Sequence, residues 1–165
     1  MADDWLGINS RNLDSSCGED DLWVSVAKAL SGTGCWEHSF EHAHWFIIDL
    51  GRTYTIKKVR GRSNLLSDPV DVNIYIDDNN PPTTLCEEGI TTWQDRTTWS
   101  EITLTTEGEG RYIKVEIEDT ENINRHITFG GSPAFTIFDA YGDVAAAPPA
   151  RVPKPTVAVG NPLMF

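Results

Sequence analysis

Apolar residues recur at every second position along most of this chain. In "PVDVNIYID", Val70, Val72, Ile74 and Ile76 fall on one side, with Asp71, Asn73, Tyr75 and Asp77 on the other. A period of two marks a strand with one buried face. "YTIKKVRGR" alternates from Tyr54 through Ile56 and Val59, and "RYIKVEIED" offers Tyr112, Ile113, Val115 and Ile117 as its apolar set. "WFIIDL", residues 45–50, is a short apolar strand closed by Gly51. "TTWSEITLTT" contributes Trp99, Ile102 and Leu104, and "AFTIFDAYGDV" reads as a last strand. "DDNNPP" carries turn chemistry, and "GEGR" at 108–111 reads as a hairpin turn. Helical spacing is confined to "WVSVAKAL", one or two turns at most.

Short strands separated by Gly, Pro and Asn turns predict an all-β fold, an antiparallel β-sandwich of the jelly-roll kind. Three segments follow: an N-terminal stretch 1–14, the sandwich 15–144, and an extended C-terminal arm 145–165. The arm, "AAAPPARVPKPTVAVGNPLMF", is rich in Pro and Ala and has no packing pattern. Its apolar positions are Pro153, Pro155, Val157, Val159, Pro162, Leu163, Met164 and Phe165. With no core of their own to join, they are expected to dock on other subunits of an assembly.

The formal net charge of -12 argues against nucleic acid as a partner, because phosphate affinity is built from clustered Lys and Arg. The 13 basic residues are scattered and make no such patch. No stretch has the roughly 18 apolar residues that a membrane span requires, so membrane insertion is not expected. "MADDWLGINS" lacks a basic start and an apolar run, so it does not read as a secretory signal. The expectation is synthesis in a cytoplasm, followed by display on a particle surface or outside the cell. Cys17, Cys35 and Cys86 make an odd count, a poor disulfide framework, although Cys17 and Cys35 are a possible pair.

"CWEHSFEHAHWFIIDLG", residues 35–51, gathers most of the candidate chemistry. His42 and His44 are two apart and point to one side of a strand, and Cys35 and His38 are the nearest further ligands. The spacing matches neither finger nor zincin patterns. The segment therefore reads as a loop between strands, with His38 or His44 contacting a polar ligand, and no metal is assigned. Trp36, Trp45 and Trp99 read as core. Trp23 and Trp93 lie in polar stretches, either as exposed rings for stacking on a sugar or as a cluster beneath a long loop. Arg60 and Arg62 follow a strand, where Arg forks a carboxylate or sugar hydroxyls, or simply pairs with surface acids. Carboxylate pairs such as Asp20-Asp21 and Glu87-Glu88 sit in turns, and no nucleophile elbow or phosphate-binding loop occurs. No enzyme is expected.

Several pieces together resemble the discoidin family, also called the coagulation factor 5/8 C-terminal type, among the galactose-binding-like jelly rolls. They are "AKALSGTGCWEHS", "HWFIIDLGRTYTIKKVRGRSN", "VDVNIYIDD", "GRYIKVEI" and "FDAYGDV", spanning about residues 15 to 143. The resemblance implies a binding module without an active site. Such modules take sugars, sometimes lipid head groups or proteins, through loops at one end of the sandwich. It also implies a structural calcium near an Asp-Gly turn and a last-strand carboxylate. Here those places hold Ser31-Gly32 and Ile137, with Asp139 two residues on. "CWEHS" is similar to the histidine segment of the fucose-binding lectin branch, with His38 at the sugar position. That branch continues with Arg-x-Asp and a second cation, where this chain has Arg62-Ser63-Asn64 and then Asp68-Pro69. No fucose specificity is assigned. The expected ligand-binding set is His38, His44, Arg62, Asn64, Trp23 and Trp93. The expected role is a glycan-binding accessory component of a larger assembly, such as a virion decoration, head-fibre or tail protein. A free-standing lectin or carbohydrate-binding module is the alternative.

Overall fold

The computed structural model describes residues 3–18, 25–33, 35–39, 41–63, 67–94, 96–121, 127–130 and 136–146. Within them lie β1 (Asp4–Trp5), β2 (Leu13–Ser16), α1 (Val26–Ser31), β3 (Cys35–His38), β4 (His44–Ser63), β5 (Val72–Asp77), β6 (Leu85–Ile90), β7 (Arg96–Ile117), β8 (Ile127–Gly130) and β9 (Phe138–Val144). The main sheet runs β1-β9-β4-β7-β5-β6, with β2 on β4, and β3 pairs with β8 apart from it. Every strand pair is antiparallel. The fold is the all-β sandwich expected of the alternating pattern. The arm beyond residue 146, with all its expected docking residues, lies outside the described residues.

β4 and β7 form one long ribbon. His44 pairs with Ile117, Ile48 with Ile113, Val59 with Ile102 and Ser63 with Arg96. On a straight strand Phe46 and Gly61 would stand about 50 Å apart. Yet Phe138, the register partner of Gly61, has its ring 6.1 Å from that of Phe46. The ribbon is therefore folded over, so that its two halves face each other across the core. The register shift between Asp49 and Tyr54, with Gly51 at φ 76°, marks the crease. Arg111 closes it: its Nε and Nη2 donate to Asp49 Oδ1 and Oδ2, both at 2.7 Å. This bond holds the Asp49 carboxyl below the usual carboxylate range, the Gly51 N–H adding to it against some burial.

Two sequence expectations change here. Gly51 does not end a strand, and "GEGR" is not a hairpin but the interior of β7. The glycines serve close crossings. A Cβ on Gly108 would lie 2.6 Å from the Ile76 side chain, and one on Gly110 2.4 Å from the Asp77 backbone. The stretch before residue 15 is also part of the sandwich. Asp4 and Trp5 pair with Gly142 and Tyr141, and Ile8 is buried in the core.

The core follows the alternation. Phe46, Ile48, Val72, Ile74, Ile76, Ile113, Val115 and Ile117 are all buried on the inner face. α1 spans part of the predicted turns and buries Val26, Ala29 and Leu30, the helical spacing. Ser25 caps it by accepting the Lys28 N–H at 3.2 Å, and Gly32 ends it in the left-handed region. Trp93 lies flat over Gly61, where a Cβ would come within 2.3 Å of the indole.

Asp77 organises the turn after β5. Its Oδ2 accepts the N–H groups of Thr83 and Thr84, both at 2.9 Å, and their hydroxyls, while Oδ1 accepts the Asn79 N–H at 2.7 Å. Burial pushes this carboxyl up. The donors from Thr83, Asn79 and Thr84 outweigh it and bring the pKa down from 3.8 to about 2. A lowered folded-state value stabilises the fold above the ordinary pKa and is lost on acidification. Asp77→Asn is expected to cost about 1–2 kcal/mol at neutral pH. In urea melts, the gap to wild type should close as pH falls from about 4 to about 2; a constant gap would contradict the assignment. Gly61→Ala is expected to destabilise by about 1–3 kcal/mol through overpacking against Trp93, read in the same melts.

Candidate functional site

Folding the ribbon over brings the start of β4 and its end to one end of the sandwich. β8 joins them, because the Thr128 N–H donates to Ser67 O at 3.0 Å and Ile127 pairs with His38. The candidate loops thus converge, but their side chains are not arranged as expected. His38 is 4% exposed and His44 wholly buried. His38 lies beneath Gly18, whose φ is 140° and whose Cβ, if present, would be 2.6 Å from His38 Nε2. Trp93, read as an exposed ring or a buried cluster, is the latter. It is 0% exposed, 6.5 Å from the Phe129 ring and 6.0 Å from that of Phe138, with no face left for a ligand. Asn64 and Trp23 lie outside the described residues. Asp68 is buried and accepts the Ser63 hydroxyl.

The histidines do come together, with a partner the sequence reading missed. The rings of His38, His42 and His44 are mutually 5.0 to 5.2 Å apart. Cys17 Sγ, from the residue after β2, is 3.8 Å from His44 Nδ1 and accepts the Trp45 N–H at 3.4 Å. Cys35 was the expected sulfur, but on β3 the side chains alternate, so Cys35 and Glu37 face away from His38. Burial and then the Glu37 charge push the Cys35 thiol up. No disulfide joins the described cysteines, so the possible Cys17–Cys35 bridge is not formed in this structure.

Arg62 remains the accessible candidate. Its Nε donates to Thr136 O at 2.9 Å, and its guanidinium carbon sits 4.1 Å over the Trp99 ring. Arg60 lies between two indoles, 3.8 Å from Trp5 and 4.4 Å from Trp99, and pairs with Asp139 at 2.9 Å. Trp99 is thus a half-buried outer-face ring held between two guanidinium groups, not a core residue. Burial, then the Arg60 charge, holds Arg62 below the usual guanidinium value.

The F5/8 type C domain profile matches residues 13–128. The chain belongs to the F5/8 type C domain family. Among solved structures it is similar to the family 32 CBM from C. perfringens NanJ in complex with galactose, with a TM-score of 0.63, 14% identity, and coverage of 85% of this chain and 99% of that one. CBM32-3 from a family 31 glycoside hydrolase of Clostridium perfringens matches with TM-score 0.65, 12% identity, and 82% and 94% coverage. The CBM32 of AlyQ in complex with 4,5-unsaturated mannuronic acid matches with TM-score 0.57, 13% identity, and 76% and 91% coverage. At these identities the likeness is one of fold. No curated protein matches the chain.

The calcium that F5/8 type C resemblance implies does not suit the residues present. A hard cation takes six to eight oxygens, several of them charged. Here the Ser31 hydroxyl donates to Ala27 O, Ile137 is buried apolar surface, and Asp139 is committed to Arg60 and to the Ile8 and Ala140 N–H groups.

A second feature of this F5/8 type C domain lies on the outer sheet face. A cleft of about 350 Å³ is lined by Ser15, Trp45, Ile47, Asn80, Pro81 and Lys114. Trp45 was expected in the core, but it is half-buried on the face opposite Phe46 and Ile48. The period of two already carried that signal. Lys114 lies 5.1 Å over the Tyr75 ring and pairs with Glu116. Trp99→Ala is expected to lower stability by about 1–3 kcal/mol through two lost cation–π contacts, measured by urea unfolding. An unchanged midpoint would show that the stack contributes nothing.

Proposed function

We propose that this F5/8 type C domain is a non-catalytic glycan-recognition module. The observation that carries the reading is Arg62 at the loop end, its plane set by Trp99 and Thr136 O. A guanidinium fixed in this way offers a rigid donor fork that suits sugar hydroxyls or carboxylates. The sugar ligands named for the NanJ and AlyQ modules are consistent with this class. His38 and His44 support the loop end from within rather than contact ligand, because both are buried. Asn64 and Trp23 stay in the proposed rim through their sequence positions.

A second reading places the sugar in the sheet-face cleft. The Trp45 ring beside Ile47 and Pro81, with Ser15, Asn80 and Lys114 as polar groups, has the apolar-plus-donor character of a sugar site. The finer proposal is an accessory role in a larger assembly, such as a virion decoration, head-fibre or tail protein, displayed on its surface and docked through residues 145–165. Its support is the apolar, Pro-rich arm and the strong acidity.

A glycan array probed with the purified chain separates these readings. Arg62→Ala is expected to weaken binding at least about tenfold, the scale of a lost charged hydrogen bond, while Trp45→Ala leaves it nearly unchanged. The reverse pattern would favour the cleft, and no wild-type binding would sink both. Removing residues 145–165 should leave a folded, sugar-binding domain that no longer assembles; undiminished assembly would refute docking by the arm.

A further inference from the structure

We propose that Cys17, His38 and His44 form a zinc site that ties three segments of the loop end together. One ligand atom from each lies within 4.8 Å of the others. The segments are the residue after β2, the end of β3 and the start of β4, which are separate along the chain and meet only in the folded sandwich. Zinc takes thiolate sulfur and imidazole nitrogen in tetrahedral geometry, and this donor set contains no carboxylate that would favour a hard cation.

Three further observations fit this chemistry. The Trp45 N–H points at Cys17 Sγ, a bond that favours a thiolate and orients it. His42 stands at the open side of the cluster, its ring 5.1 Å from His38 and 5.0 Å from His44. Its Nδ1 is 2.7 Å from Ala43 O, a contact that needs the Nδ1–H tautomer and leaves Nε2 as the ligating nitrogen. His42 thus supplies the fourth position with a turn of an exposed side chain. The seat is also sterically prepared, since only a glycine at position 18 leaves room for the His38 ring.

Zinc here would be structural and closed, and would stabilise the loop end from which Arg62 projects. The inference stands apart from glycan binding, because it concerns metal content alone. The test uses the tag-free chain kept under reductant. Metal analysis after dialysis is expected to give one zinc per chain, and cobalt substitution to give tetrahedral visible bands with a thiolate charge-transfer band. Cys17→Ser should abolish the charge-transfer band and weaken metal binding at least about tenfold, the least loss expected when an inner ligand is removed. It should also abolish the zinc-dependent, chelator-reversible rise in melting temperature. His42→Ala, at an exposed position, should keep the charge-transfer band but alter the visible bands. A wild-type chain that retains neither zinc nor cobalt, or a folded Cys17→Ser that retains the wild-type stoichiometry and spectrum, would overturn the proposal.

Discussion

The bidentate pair between Arg111 and Asp49 closes the crease of a ribbon that must fold back on itself. β4 and β7 stay paired from His44 to Ser63. Without the fold, the apolar faces of their two halves would have nothing to bury against. With it, Phe46 meets Phe138 and the sandwich has an inside. Glycines at 108 and 110 let neighbouring chain approach at the crease, and the bulge beside Gly51 absorbs the change of direction.

The same fold decides what the opposite end is made of. It carries His44 back toward the exit of β4, where the β4–β7 register sets Arg62 beside Trp99. Close packing there is arranged by small residues. Gly61 accepts the Trp93 indole and Gly18 accepts the His38 ring, so both rings are buried. What stays accessible is the stacked array of Trp5, Arg60, Trp99 and Arg62. Each cation in it is held by an aromatic face, and Arg60 also by a buried carboxylate, which gives side chains at the rim little freedom to lose on binding.

Membership in the F5/8 type C domain family and the convergence of loops at one end of the sandwich fit together physically. The sheets are rigid and the loops are hung from them. Two candidate surfaces on this scaffold differ in chemistry, a guanidinium bonded to Thr136 O at the loop end and a tryptophan cleft on the sheet face. A separate thiol–imidazole cluster is formed by Cys17, His38 and His44.

Local alternation alone was enough for the central strands, their buried faces and the sandwich class. Val72, Ile74, Ile76, Ile113, Val115 and Ile117 went where their period placed them, because a strand's alternation is local geometry. The family resemblance was legible in the order of five short pieces. The separate strands β3, β6 and β8 were not, since "CWEH", "LCEEGI" and "ITFG" are too short to show a period. The tryptophans were the hardest to place: Trp45 and Trp99, expected in the core, face outward, while Trp93, left open between rim and buried cluster, is buried. Local polarity could not tell which face of a strand meets the other sheet, or that a glycine thirty residues away leaves a slot. Only the tertiary fold supplied Cys17 to the histidines in place of Cys35. Sequence spacing measures distance along the chain, and those ligands are neighbours only across strands.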